Sequence, residues 1–100
     1  MAAYVIYQGD VLDPERYERY KAKAAESVAA AGGRFVVRGG DMEVLEGESP
    51  ASRTVVVEFP DRATARSWYH GELYRAARQL REGAARARMY VVDGVEAPMG

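Results

Sequence analysis

The sequence predicts one α+β domain of ferredoxin-like topology, a four-stranded antiparallel sheet carrying two helices on one face. Three observations lead there. The chain has 100 residues, enough for a single domain. Its elements read strand, helix, strand, strand, helix, strand, and two right-handed crossovers in that order bring both helices to the same side of the sheet. Three of the strands, finally, are apolar on both faces, as in Tyr4-Val5-Ile6-Tyr7, Val55-Val56-Val57 and Met89-Tyr90-Val91-Val92, where a sheet with one wet face would alternate apolar and polar.

Residues 3–8 form the first strand. Asp13-Pro14 opens a helix, with Asp13 as N-cap and Pro14 at the first helical position, where the missing N–H costs nothing. Tyr17, Tyr20, Ala24, Val28 and Ala31 recur at helical spacing, and Gly32-Gly33 ends the helix. The second strand is Arg34 to Arg38, turned by Gly39-Gly40; Met42 to Glu46 is expected to add a short extended piece before a polar loop. Thr54 to Phe59 is the clearest strand, and Pro60-Asp61 ends it and caps the next helix. That helix runs to Tyr69, breaks near Gly71 and resumes from Leu73, with Leu73, Ala76, Ala77, Leu80 and Ala84 as its expected buried stripe. Arg88 to Asp93 is the last strand. The domain is therefore expected to span residues 1–94, with a loose tail at 95–100.

Composition narrows the function. Hydrophobic residues make up 48% and charged residues 29%, an ordinary globular balance. With no cysteine there is no disulfide framework, thiolate metal site or cysteine nucleophile, which fits a reducing compartment. The apolar run at the N-terminus ends at Gln8 and has no basic flank, so neither a signal peptide nor a membrane span is expected and the cytoplasm is the expected location. A net charge of -1 gives no reason to expect nucleic acid. The charge is uneven, because residues 61–88 carry seven arginines and three acids. Either this is a solvated helix face, or it is a cationic surface that attracts an anionic small molecule.

Two helices cover only one face of a sheet, so the second apolar face needs a cover. The simplest is the same face of another copy about a two-fold axis, which makes a homodimer the expected state.

Several segments together resemble a known bacterial family. They are Ala3-Tyr4-Val5-Ile6, Asp13 to Tyr20, Gly32 to Gly40, Val44-Leu45-Glu46-Gly47, Val56 to Pro60, Trp68-Tyr69 with Tyr74, and Arg75 to Arg81. The family is domain-of-unknown-function family 1330, within the dimeric α/β-barrel superfamily, and the resemblance covers residues 2–93. It implies two sheets packed face to face in a homodimer. It supplies no activity of its own; superfamily relatives include cofactor-free monooxygenases, haem-degrading enzymes, isomerases and ligand-binding proteins. Where the family usually reads Asn-Ser-Pro-Glu-Tyr after the Trp-Tyr pair, this chain reads His70-Gly71-Glu72-Leu73-Tyr74. The haem-degrading relatives use an Asn, a Trp and a downstream His. Here Trp68 fits loosely, His70 lies too close to it, and the first strand offers Tyr7 or Gln8.

Two places for chemistry follow. If Val55, Val57 and Phe59 face the helices, then Thr54, Val56 and Glu58 face the partner sheet. The more polar parity of the other strands adds Tyr4, Ile6, Gln8, Arg34, Val36, Arg38, Arg88 and Tyr90. Tyr4, Glu58, Arg38 and Arg88 would there bind a carboxylate or other anion; the alternative is Glu58 paired with Arg38 or Arg88, fixing dimer register without a ligand. The second place is the helix break, where Trp68 and Tyr74 would wall a pocket and His70, the sole histidine, would be the acid or base. The alternative is an exposed His70 and a Trp68 that only packs the core. No phosphate loop, zinc set, calcium loop or serine triad is legible.

The expectation is thus a homodimer that binds or transforms a small anionic or aromatic metabolite. Any catalysis would be of the cofactor-independent monooxygenase or isomerase type, with no metal, cofactor, nucleic acid or membrane involved. The other reading is a ligand-binding or purely structural dimer.

Overall fold

A computed structural model describes residues 1–95. The elements are β1 (Ala3–Val11), α1 (Pro14–Ala30), β2 (Arg34–Arg38), β3 (Arg53–Phe59), α2 (Arg62–His70), α3 (Glu72–Arg81) and β4 (Ala85–Asp93). The strands form one antiparallel sheet in the order β2-β3-β1-β4, which is the ferredoxin-like arrangement predicted from element order. Gly94 donates its N–H to the Ala2 carbonyl at 2.7 Å, closing the end of β4 against β1; of the expected tail, residues 96–100 lie outside the described residues.

Local signals act where the sequence places them. The Asp13 carboxylate accepts the Arg16 N–H with Pro14 in the first turn, and Asp61 accepts the Thr64 N–H at 2.7 Å. Gly32 takes φ 79°, the left-handed conformation that ends α1 without a Cβ clash. The break between α2 and α3 is different. Gly71 is extended, at φ -73° and ψ 165°, and serves both helices as their cap residue.

Alternate residues of the central strands point into the core. Val5, Tyr7, Val57 and Phe59 are buried against Tyr17, Tyr20, Ala24, Val28, Ala65, Trp68, Tyr74 and Ala77 from the helices. Three expectations need correction. Residues 42–46 form no strand and lie exposed in the loop between β2 and β3. Of the stripe expected on and just after α3, Ala77, Leu80 and Ala84 do pack in the core, but Leu73 and Ala76 face outward and Tyr74 is buried in their place, with Arg81 beside it. Apolar residues occupy both neighbouring rows of this helix, so period alone does not choose between them; the large Tyr74 ring takes the core position.

The third correction concerns β2. Its pairing advances from Phe35 opposite Val57 to Val37 opposite Val56, so Val36 is the extra residue of a β-bulge. Beyond the bulge the parity flips. Val37 joins the open face of the sheet, and Arg38, opposite Val55, turns to the helix side.

Candidate functional site

Register sorts the open face into three rows. One crosses the sheet as Val37, Val56, Ile6 and Tyr90, apolar from edge to edge. On one side lies Arg34-Glu58-Tyr4-Val92, and on the other Thr54-Gln8-Arg88. Arg34 Nε donates to Glu58 Oε1 at 2.6 Å, and the Tyr4 hydroxyl donates to Oε2 at 3.1 Å. These two hydrogen bonds, Arg34 first, hold the Glu58 carboxyl below its usual range, and the same bond to Glu58 raises the Tyr4 phenol. The four residues expected to share this face therefore do not meet. Tyr4 and Glu58 form one cluster, Arg88 lies two rows away opposite Gln8, and Arg38 is on the other side of the sheet. Glu58 pairs with Arg34, neither with Arg38 nor with Arg88.

The helix side is built around Trp68, the last buried residue of α2. Its indole N–H donates to Ser27 Oγ at 2.9 Å, and Ser27 in turn donates to the Ala24 carbonyl at 2.7 Å. The polar edge is thus satisfied in the core, and the ring packs on Phe59 and on Tyr74, whose centroid lies at 4.2 Å. Trp68 divides two cavities. One, of about 220 Å³, lies between α2 and the β1–β4 edge, lined by Val5, Ala65, Trp68, Tyr69, His70, Met89 and Val91 among others. His70 is exposed at its rim, with its ring edge-on to Tyr69 at 5.1 Å, and among the described residues its imidazole makes no hydrogen bond. Arg78 stacks on the other ring, 4.5 Å from the Tyr69 centroid.

Tyr74 does not share this cleft. It faces the second cavity, about 40 Å³ between α1 and the sheet, together with Tyr7, Tyr17 and Tyr20. Tyr17 donates to the Tyr7 hydroxyl at 3.2 Å, the Tyr20 and Tyr74 hydroxyls meet at 2.7 Å, and Arg81 reaches Tyr74 at 3.5 Å. Burial pushes the Tyr7, Tyr20 and Tyr74 phenols up, Arg81 opposing it, so all three stay protonated at neutral pH. Tyr7, Tyr17, Tyr20 and Arg81 are not legible as site residues in the sequence. The tyrosine spacing on α1 marked a buried face, but no local signal shows that four hydroxyls converge. Among the described residues no cluster of three His, Cys, Asp or Glu side chains could hold a metal, and no helix is long and apolar enough to cross a membrane.

Against known proteins, the model of a family described as a domain of unknown function, DUF1330, matches residues 2–95. No curated protein matches. Among solved structures, the chain is similar to RPA0582, a protein of unknown function from Rhodopseudomonas palustris. The two share 19% identity over 95% of this chain and 83% of that one, with a TM-score of 0.72. SnoaB, a cofactor-independent oxygenase from Streptomyces nogalater, is 13% identical over 99% and 98% of the two chains, at 0.68. A dimeric ferredoxin-like protein of unknown function from Thermobifida fusca is 17% identical over 92% of each chain, at 0.59. At these identities the likeness establishes the fold alone.

Proposed function

The chain belongs to the domain-of-unknown-function family DUF1330, and on that premise we propose that it is a homodimer that binds or transforms a small metabolite in the cleft between α2 and β4. One observation carries this reading: a largely apolar cavity of about 220 Å³ with the imidazole of His70 at its rim, without a hydrogen-bond partner among the described residues. Trp68 is a fixed wall because its N–H is hydrogen-bonded to Ser27 and its ring packs on Phe59 and Tyr74. A neutral imidazole there would take a proton from an acidic C–H or O–H of a bound aromatic or enolisable compound. An isomerase would return that proton at another carbon; a cofactor-independent oxygenase would let the resulting carbanion reduce O₂. The SnoaB likeness is in keeping with the second chemistry, at the level of fold.

The dimer part of the proposal rests on the apolar row of the open face, with the two sheets packed on each other. Met42 accepts from the Thr54 hydroxyl at 3.2 Å, and with Val44 and Leu45 it adds exposed apolar surface beside that face. A cytoplasmic location belongs to the same reading, since a cysteine-free chain needs no oxidising compartment.

A second reading, ligand binding without catalysis, is favoured by one feature: among the described residues none hydrogen-bonds the His70 ring to orient it as a general base is usually oriented. The mutually satisfied Arg34–Glu58–Tyr4 cluster favours a purely structural role for that end of the open face. Native mass spectrometry of the gently purified protein tests the proposal, and the ligand it identifies supplies the assay for His70→Ala. A dimer carrying extra mass, with turnover lost in His70→Ala, is the expected result. Unchanged turnover removes the catalytic assignment, and a bare monomer removes the proposal.

A further inference from the structure

We propose that the mouth of the smaller cavity, between α1 and the sheet, is a carboxylate-binding site in which Arg38 and Arg53 grip the charged end of a small organic acid. This goes beyond the proposed function, at a cavity separate from the α2–β4 cleft, and it moves Arg38, expected from the sequence to bind an anion on the open face, to the helix side. The bulge at Val36 turns Arg38 to the helix side, opposite Val55; Arg53 stands two residues before Val55 on β3 and shares that side. With Lys21 of α1, these two residues line the cavity whose walls are Tyr7, Tyr17, Phe35 and Trp68.

Both guanidinium groups are held yet uncommitted. Arg38 lies 4.3 Å over the Phe35 ring and, among the described residues, donates to the Lys21 carbonyl alone, at 3.4 Å. Arg53 lies 5.7 Å from the Tyr17 ring and packs against Gly39, at a spot any Cβ on that residue would invade. Gly39 has φ 70°, the left-handed conformation that favours glycine there. Among the described residues neither arginine has a carboxylate within ion-pair distance, because nearby Glu18 is taken by Lys21 at 2.9 Å. The Arg53 Nε is buried with no hydrogen-bond partner. A buried donor left orphaned is costly and uncommon in a folded protein, and a planar two-oxygen acceptor satisfies it.

The two guanidinium groups lie beside the Phe35 and Tyr17 rings, and a guanidinium with uncommitted N–H groups binds a carboxylate bidentately. Behind the pair the cavity is aromatic and aliphatic, so an acid with an apolar body fits better than a hydrated inorganic anion. At about 40 Å³ the cavity holds little more than water, so binding of an aromatic body requires its mouth to widen.

Benzoate, benzamide and inorganic phosphate serve as probes on the full chain, read by amide shifts of Arg38, Gly39 and Arg53 and by the indole N–H of Trp68, the sole tryptophan. Benzoate is expected to move all four signals, with affinity falling about tenfold or more in Arg53→Gln and Arg38→Gln and in the uncharged benzamide. Arg53→Lys, which keeps the charge and loses the fork, should fall between, and it serves if Arg53→Gln does not fold. The proposal is overturned if benzoate leaves these signals in place, if the arginine variants bind it as the parent does, or if phosphate binds as tightly. Benzoate and benzamide shifting only Tyr69, His70 and Val91 would remove the anchor while leaving the α2–β4 cleft standing. Binding at the arginine pair with that cleft silent would do the reverse.

Discussion

Replacing Ile6 with aspartate should break the proposed sheet-to-sheet dimer while leaving the monomer folded. Ile6 sits at the middle of the row Val37-Val56-Ile6-Tyr90, half-buried on the open face. On that face Val37, Tyr90 and Val92 still expose 42%, 47% and 45% of their surface. Complete burial of such side chains is worth about 1.5–3 kcal/mol each, so covering the remainder contributes roughly 0.6–1.4 kcal/mol per residue. Over two copies these three positions supply about 4–8 kcal/mol, before Ile6, Val56 and the Met42 loop are added. Association costs ~4–15 kcal/mol, so the interface has little surplus, and one buried charge per copy decides its fate. An unpaired carboxylate in the sheet–sheet interface costs several kcal/mol. The dissociation constant should therefore rise by about a hundredfold or more. Sedimentation velocity over a concentration series measures this, with Ala22→Asp on the exposed side of α1 as the charge control. A dimer that survives Ile6→Asp, or a parent protein that is already monomeric, refutes the idea that a second copy covers this face.

Two further outcomes test the chemistry within one copy. The Glu58 carboxyl is depressed by Arg34 and Tyr4, so its stabilising contribution is present above the unfolded carboxyl pKa and is lost as pH falls through the lower folded value. The melting-temperature gap between the parent and Glu58→Gln should accordingly shrink on acidification from neutral pH, and a gap independent of pH would show that the pair is not ionic. In the core, Tyr20→Phe leaves the Tyr74 hydroxyl with only the 3.5 Å contact to Arg81. Each single Phe variant should lose about 1–3 kcal/mol, and the double variant less than their sum; strict additivity in urea melts would mean the two hydroxyls do not interact.

Much of the fold was legible because its signals are short-range. Asp13-Pro14 and Gly32-Gly33 bound α1 through atoms within a few residues, and the alternation of β1 and β3 assigned their faces correctly. The break at Gly71 and the separate helix after it were legible in the same way. The site was much less so. Trp68 and His70 do border one cleft, but Tyr74 lies beyond the Trp68 ring, since one helical residue is a turn of about 100° and the chain restarts a new helix between them. Three arginines were available to Glu58 by composition, and only strand register selects Arg34.

By itself, then, the sequence determined the order of elements, their caps and the two-sided apolar character of the sheet, because these depend on neighbours in the chain and on periods of 2 and 3.6 residues. Tertiary structure alone decided which residues meet. A single extra residue at Val36 reverses every side chain beyond it in β2, carrying Arg38 from the open face to the helix-side cavity beside Arg53. That bulge is a property of how β2 pairs with β3 across the intervening loop, and no local pattern in Arg34-Phe35-Val36-Val37-Arg38 encodes it.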